Sequence, residues 1–273
     1  MKKIIISLFC ILAAISSFAA KPEIKSQWKG ARVAFIGDSI TDPSQMETYN
    51  DVYWNMMRGI LGIEPYVYAV SGYRMQHSEE LLNKLKEERG DDIDAIIIFL
   101  GTNDYTHACP LGEFYAYSEG TVVDRGNEVV TRKHRELVYD KGTFKGITNY
   151  ILRYAKELYP DKQIVLMTSL HKGFYSRPKN GNIQPCEEWA NANGEFLSQF
   201  VEAVKEAGSI WSVPVIDLYS TSTLNPTLDV HHKYFRGDGY PGLTDYLHPN
   251  TEGHRRLAYI ISYQLLSYPA KLN

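Results

Sequence analysis

Five short apolar runs punctuate this chain, and a segment with helical spacing of apolar residues follows most of them. The runs cover residues 33–36, 66–70, 95–100, 164–167 and 213–216. They are apolar at nearly every position, as a strand buried on both faces requires. Ala95-Ile96-Ile97-Ile98-Phe99-Leu100 is the clearest. Helical patterns cover residues 49–61, 78–89, 143–158 and 187–207, and a last one, 251–266, closes the chain. In 143–158, Phe144, Ile147, Ile151, Leu152 and Ala155 fall on one face. This alternation predicts one doubly wound α/β domain, with a five-stranded parallel sheet and helices on both faces. At 273 residues and 44% hydrophobic content, the chain can bury the core such a domain needs. No internal repeat, low-complexity tract or interdomain linker interrupts the pattern.

Residues 1–20 differ in kind. Lys2 and Lys3 precede a short apolar stretch, and Ser17-Phe18-Ala19-Ala20 offers small residues for cleavage. This reads as a secretory signal peptide; the alternative, a membrane anchor, would need a longer apolar run. Cleavage would leave a mature domain of residues 21–273, periplasmic or exported, with no stable membrane insertion. The net charge of −3 argues against nucleic acid as a partner and against a basic membrane-binding face. Cys10 would leave with the signal. Cys109 and Cys186 remain, either as one disulfide or as two thiols.

Four short motifs fall at the carboxyl ends of the strands, where an open α/β sheet binds its ligands. Gly37-Asp38-Ser39 follows the first strand, Ser71-Gly72 the second and Gly101-Thr102-Asn103-Asp104 the third. Asp245-Tyr246-Leu247-His248 follows the fifth, just before the last helix. Ser39 is the candidate nucleophile, a hydroxyl that needs a base to take its proton. His248 is that base. Asp245, three residues earlier, shares a face with it if the segment is a helical turn, and would orient the ring. Gly72 and Asn103 are the candidate oxyanion donors, joined by the Ser39 N–H. Glycine leaves its amide unobstructed, and an asparagine amide donates without charge. Each motif alone is commonplace: a capping serine, a turn glycine, a surface Asp–His pair. Their joint placement is not.

In order and in key residues, these four blocks resemble the SGNH (GDSL) hydrolases, over about residues 32–266. The resemblance places the nucleophile at Ser39, the oxyanion glycine and asparagine at Gly72 and Asn103, and the catalytic pair at Asp245 and His248. It implies a flavodoxin-like three-layer α/β/α sandwich and hydrolysis of esters or thioesters, with no cofactor and no metal.

Asp38 and Asp104 read as structural, bonding loop amides. His171 reads as a loop residue. His231, His232 and His254 lack metal-ligand spacing.

Three insertions, near residues 105–142, 171–185 and 219–244, leave the catalytic edge and would wall a cleft over Ser39. The first predicts a β-hairpin around Arg125-Gly126-Asn127. The insertions carry Tyr105, Phe114, Tyr115, Tyr117, Tyr139, Phe174, Tyr175, Tyr234, Phe235 and Tyr240. Tyrosine suits sugar rings better than lipid tails, so the sequence favours an O-acetylated carbohydrate as substrate. A lipase or lysophospholipase, an arylesterase, a thioesterase, and a glycan-binding protein without turnover remain the alternatives.

Overall fold

The computed structural model describes residues 26–240 and 243–272. The expected signal, residues 1–20, lies outside them. In chain order, β1 (Arg32–Gly37) leads through two 3-10 turns to α1 (Tyr53–Leu61). Then β2 (Glu64–Ala69) leads to α2 (Ser78–Arg89), and β3 (Ala95–Phe99) to the short α3 (Thr102–Thr106). A hairpin, β4 (Tyr115–Val123) and β5 (Val129–Leu137), precedes α4 (Phe144–Leu158) and β6 (Gln163–Met167). Next come β7 (Tyr175–Arg177), β8 (Asn182–Gln184), α5 (Leu197–Trp211), β9 (Val215–Ile216) and α6 (Leu218–Thr221). The chain closes with β10 (Phe235–Tyr240), β11 (Leu243–Pro249) and α7 (Thr251–Leu265).

The five apolar runs form one parallel sheet in the order β2-β1-β3-β6-β9. Both faces are buried, which is why the runs do not alternate. Ala34, Ile36, Ile96, Ile98 and Leu166 point toward α2, α4 and α5, where Leu82, Leu85, Ile147, Ile151 and Phe200 meet them. Val33, Phe35, Ile97, Phe99 and Val165 point the other way, onto Tyr53 and Met57 of α1 and Leu257 and Ile261 of α7. Each fully buried Ile or Phe contributes roughly 1.5–3 kcal/mol. The three layers are therefore the expected ones. The sequence order reverses beside β1, so a crevice opens at the carboxyl ends of β1 and β3.

Two expectations need correction. The helix expected from residue 187 starts only at Leu197. Asn191 turns the preceding segment, accepting from the Asn193 and Glu195 amides, and Gly194 takes a positive φ of 79°. The second concerns the insertions. Those at 171–185 and 219–244 build a second, antiparallel sheet, β10-β11-β7-β8, at the rim of the first. The predicted hairpin is present but extends well beyond its turn, with most of its residues exposed. Cys109 and Cys186 are both free thiols.

Candidate active site

Ser39 lies in the turn that follows β1. Asp38 builds that turn: its carbonyl accepts from Thr41 and Asp42, and its carboxylate accepts from the Ile40 amide at 3.1 Å. Gly37 has no alternative here, because a Cβ would meet Thr41 Oγ1 at 2.3 Å. Ser39 caps no helix; Asp42 caps the 3-10 turn that follows. The Ser39 hydroxyl instead lies 2.9 Å from His248 Nε2.

His248 and Asp245 come from β11, not from a helical turn. Across from them β10 runs Phe235, Arg236, Gly237, while β11 runs from Pro249 back to Asp245 over the same span. Tyr246, Leu247 and His248 thus oppose Arg236 alone, a bulge that bends the strand and re-aims its side chains. Asp245 Oδ1 holds the bulge by accepting from the Leu247 and His248 amides at 3.1 and 2.8 Å. The same carboxylate meets His248 Nδ1 at 2.8 Å from Oδ2.

Protonation follows from these contacts. Asp245 is fully buried, which pushes its carboxyl up. The His248 hydrogen bond and charge, with Arg236 adding, outweigh burial and hold it below its ordinary range. An ionised carboxylate only accepts, so Nδ1 carries the proton and Nε2 is left to take one from Ser39. Tyr175 of β7 packs edge-on against the His248 ring, at 5.7 Å between centroids. Ser39 and His248 keep 9% and 8% exposure, while Asp245 has none.

Gly72 takes a φ of 84°, left-handed and costly for any residue with a Cβ. Its N–H and that of Ser39 have no hydrogen-bond partner among the described residues. Asn103 lies in the first turn of α3, between the two loops. Its Nδ2 donates to the Tyr73 carbonyl at 3.0 Å and to Asp38 Oδ2 at 3.3 Å. Asn103 therefore touches the neighbours of both Ser39 and Gly72. To serve an oxyanion it must release one bond, and the longer one to Asp38 is the weaker. Asp104 accepts from the Met75 amide through both oxygens, tying the third loop to the second. Burial raises Asp38 and Asp104 to about 7 each, against the pull of these amides.

The other singled-out residues lie in local structure. His171 Nδ1 pairs with Glu187 at 2.5 Å. His231 accepts from the Asn225 amide, and His232 stacks on Tyr246. His254 is buried against Tyr53. Among the described residues, no group of three or more His, Cys, Asp or Glu side chains is arranged to hold a metal ion. The insertion aromatics divide. Tyr105, Phe114, Tyr175 and Phe235 are buried within the fold, while Tyr117 and Phe174 are exposed. Arg236 and the second sheet had no signature in the sequence.

The GDSL-like lipase/acylhydrolase family matches residues 35–256, and the chain belongs to it. Solved structures with the same fold include a protein from Lactobacillus plantarum, 21% identical, with a TM-score of 0.65 over 88% of this chain and 98% of that one. A possible lipase from Chitinophaga pinensis is 20% identical, with a TM-score of 0.59 over 86% and 98%. An acetyl xylan esterase from Geobacillus stearothermophilus is 16% identical, with a TM-score of 0.51 over 87% and 95%. No curated protein sequence matches.

Proposed function

We propose that this GDSL-like family member is an exported serine esterase that removes O-acetyl groups from carbohydrate through an acyl-enzyme on Ser39. The observation that carries the chemistry is the contact of Ser39 Oγ with His248 Nε2 at 2.9 Å, backed by Asp245 at 2.8 Å. Ser39 Oγ attacks the ester carbonyl carbon as His248 takes its proton. The oxyanion that forms meets the Ser39 and Gly72 amides and the Asn103 side chain. Collapse releases the sugar hydroxyl, with the proton returned by His248, and leaves acetyl-Ser39. Water, deprotonated by the same ring, then frees acetate.

The choice of substrate rests on the insertions. The exposed insertion aromatics Tyr117, with Lys133 over its ring, and Phe174 offer flat apolar faces that suit sugar rings. The acetyl xylan esterase shows that this fold accommodates such a reaction in another protein. Export rests on the character of residues 1–20.

Turnover of p-nitrophenyl esters from acetyl to palmitoyl, with Ser39→Ala beside the parent, tests this. Serine-dependent turnover restricted to acetyl supports the reading, and a long-chain preference moves the substrate to lipids. Full activity in Ser39→Ala removes the mechanism.

A further inference from the structure

Arg236 belongs to none of the four motifs, yet it stands where they converge. It occupies β10 opposite the bulge that presents Asp245 and His248. Its Nη1 lies 3.6 Å from Asp245 Oδ2. Its Nη2 donates to the Gln45 carbonyl and lies 3.9 Å from Met46 Sδ. Gln45 ends the 3-10 turn that Asp42 caps, only a few residues past Ser39. Asp42 in turn accepts from the Ser71 amide at 3.1 Å, and Ser71 precedes Gly72. One guanidinium thus joins the base strand to the nucleophile loop, and Asp42 carries the link on to the glycine loop. The base strand lies far along the chain from the two loops and takes no part in the main sheet that carries them.

We infer that Arg236 is a positioning residue that pins the Asp245–His248 pair to the loops carrying Ser39 and Gly72; this rests on the serine-esterase reading above. A planar fork with five donors can span a carboxylate and a carbonyl at once, and an ammonium cannot do so with the same geometry. The side chain is only 14% exposed, so its charge acts with little screening. It offsets the carboxylate that the fold buries completely. The groups facing the pair are Arg236 from β10, Ser39 with Asp38 behind it from the β1 loop, the Tyr175 ring from β7, and His254 from α7. Burial first, and then Arg236 and His248, hold His254 near 3, so it contributes no charge.

The test is the rate at which a fluorophosphonate labels Ser39 between about pH 5 and about pH 9, a range that spans imidazole titration. Full-length parent, Arg236→Gln, Arg236→Lys and Ser39→Ala are compared, each with its melting temperature. In Arg236→Gln, labelling slows about tenfold near neutrality, the cost of a loosened base. The acid limb of the profile moves up, because a cation beside the Asp245–His248 pair is lost. In Arg236→Lys the limb stays in place and the rate falls severalfold, because charge is kept but the span to Gln45 is lost. If Arg236→Gln does not fold, the lysine variant decides by its rate, and parental labelling overturns the inference. Parental rate and limb in Arg236→Gln overturn it as well. A uniform slowing at every pH with a lower melting temperature overturns it in favour of a purely structural arginine. If the parent is not labelled, or Ser39→Ala is labelled equally, the esterase reading itself has failed and takes this inference with it.

Discussion

The two halves of the site are held by different forces. The nucleophile half rides on the parallel sheet, where β1 and β3 are buried on both faces and the loops leave from a fixed edge. Its rigidity is hydrophobic and shared over many residues. The base half rides on the rim sheet, built from insertions. There, bulge hydrogen bonds to Asp245, the Tyr175 ring and Arg236 set the position of His248. Few contacts carry that placement, and most are polar. The comparison teaches that changes in the sheet beneath the first half should register mainly as stability, and changes in the supports of the second mainly as rate.

Asp245→Asn tests that contrast most strongly. It keeps the shape of the bulge but presents the ring with an amide that permits the wrong tautomer, so kcat should fall about ten-thousandfold with little change in melting temperature. A loss below about tenfold would break the assignment. Ile97→Ala is the counterpart in the parallel sheet. Ile97 is fully buried, so unfolding free energy should fall by about 2–5 kcal/mol in denaturant titrations. Turnover per folded molecule should stay at the parental level; a matching drop in kcat would show that the halves are not separable. Asn103→Ala lies between the two. It should lower kcat about a hundredfold or more with a modest change in KM, and an unchanged kcat would remove Asn103 from the oxyanion site.

The smallest effect concerns His254, which lies behind the base. Burial holds its ring near 3, well below the unfolded value of about 6.5. As pH drops below about 6.5, the unfolded chain takes up a proton that the folded one refuses, so this group removes stability progressively down to about 3. Asp38 and Asp104 act in the opposite sense. Raised to about 7 by burial, they add stability as pH falls from there toward about 4. His254→Phe keeps the packing on Tyr53 and removes a buried Nδ1 that has no partner among the described residues. It should change stability near pH 7 by less than about 1 kcal/mol and flatten the acid-side loss relative to the parent. Parallel melting curves for the two proteins from pH 7 down to pH 5 would contradict this.

Much of the parallel half was legible in the residues. Runs such as 95–100 are apolar at every position because both sheet faces are covered. Ser39, Gly72 and Asn103 sit at the ends of such runs, so their shared edge followed from topology. Thr143, where the pattern 143–158 begins, caps α4 by accepting from the Gly146 amide. The rim half was not legible. Three-residue strands such as β7 and β8 are too short to show a period. The Asp245–His248 spacing suited a helical turn and a bulged strand equally well. Only pairing with β10 selects the bulge, and that partner has no local signature.

By itself, then, the sequence determined the layered α/β frame and singled out the candidate reacting residues, because burial periodicity and motif order are local properties of the chain. Tertiary structure alone decided how His248 is aimed at Ser39 and that Arg236 bridges Asp245 to the Gln45 carbonyl. Those depend on contacts between residues about 190–210 positions apart, and no local pattern records a partner at that distance.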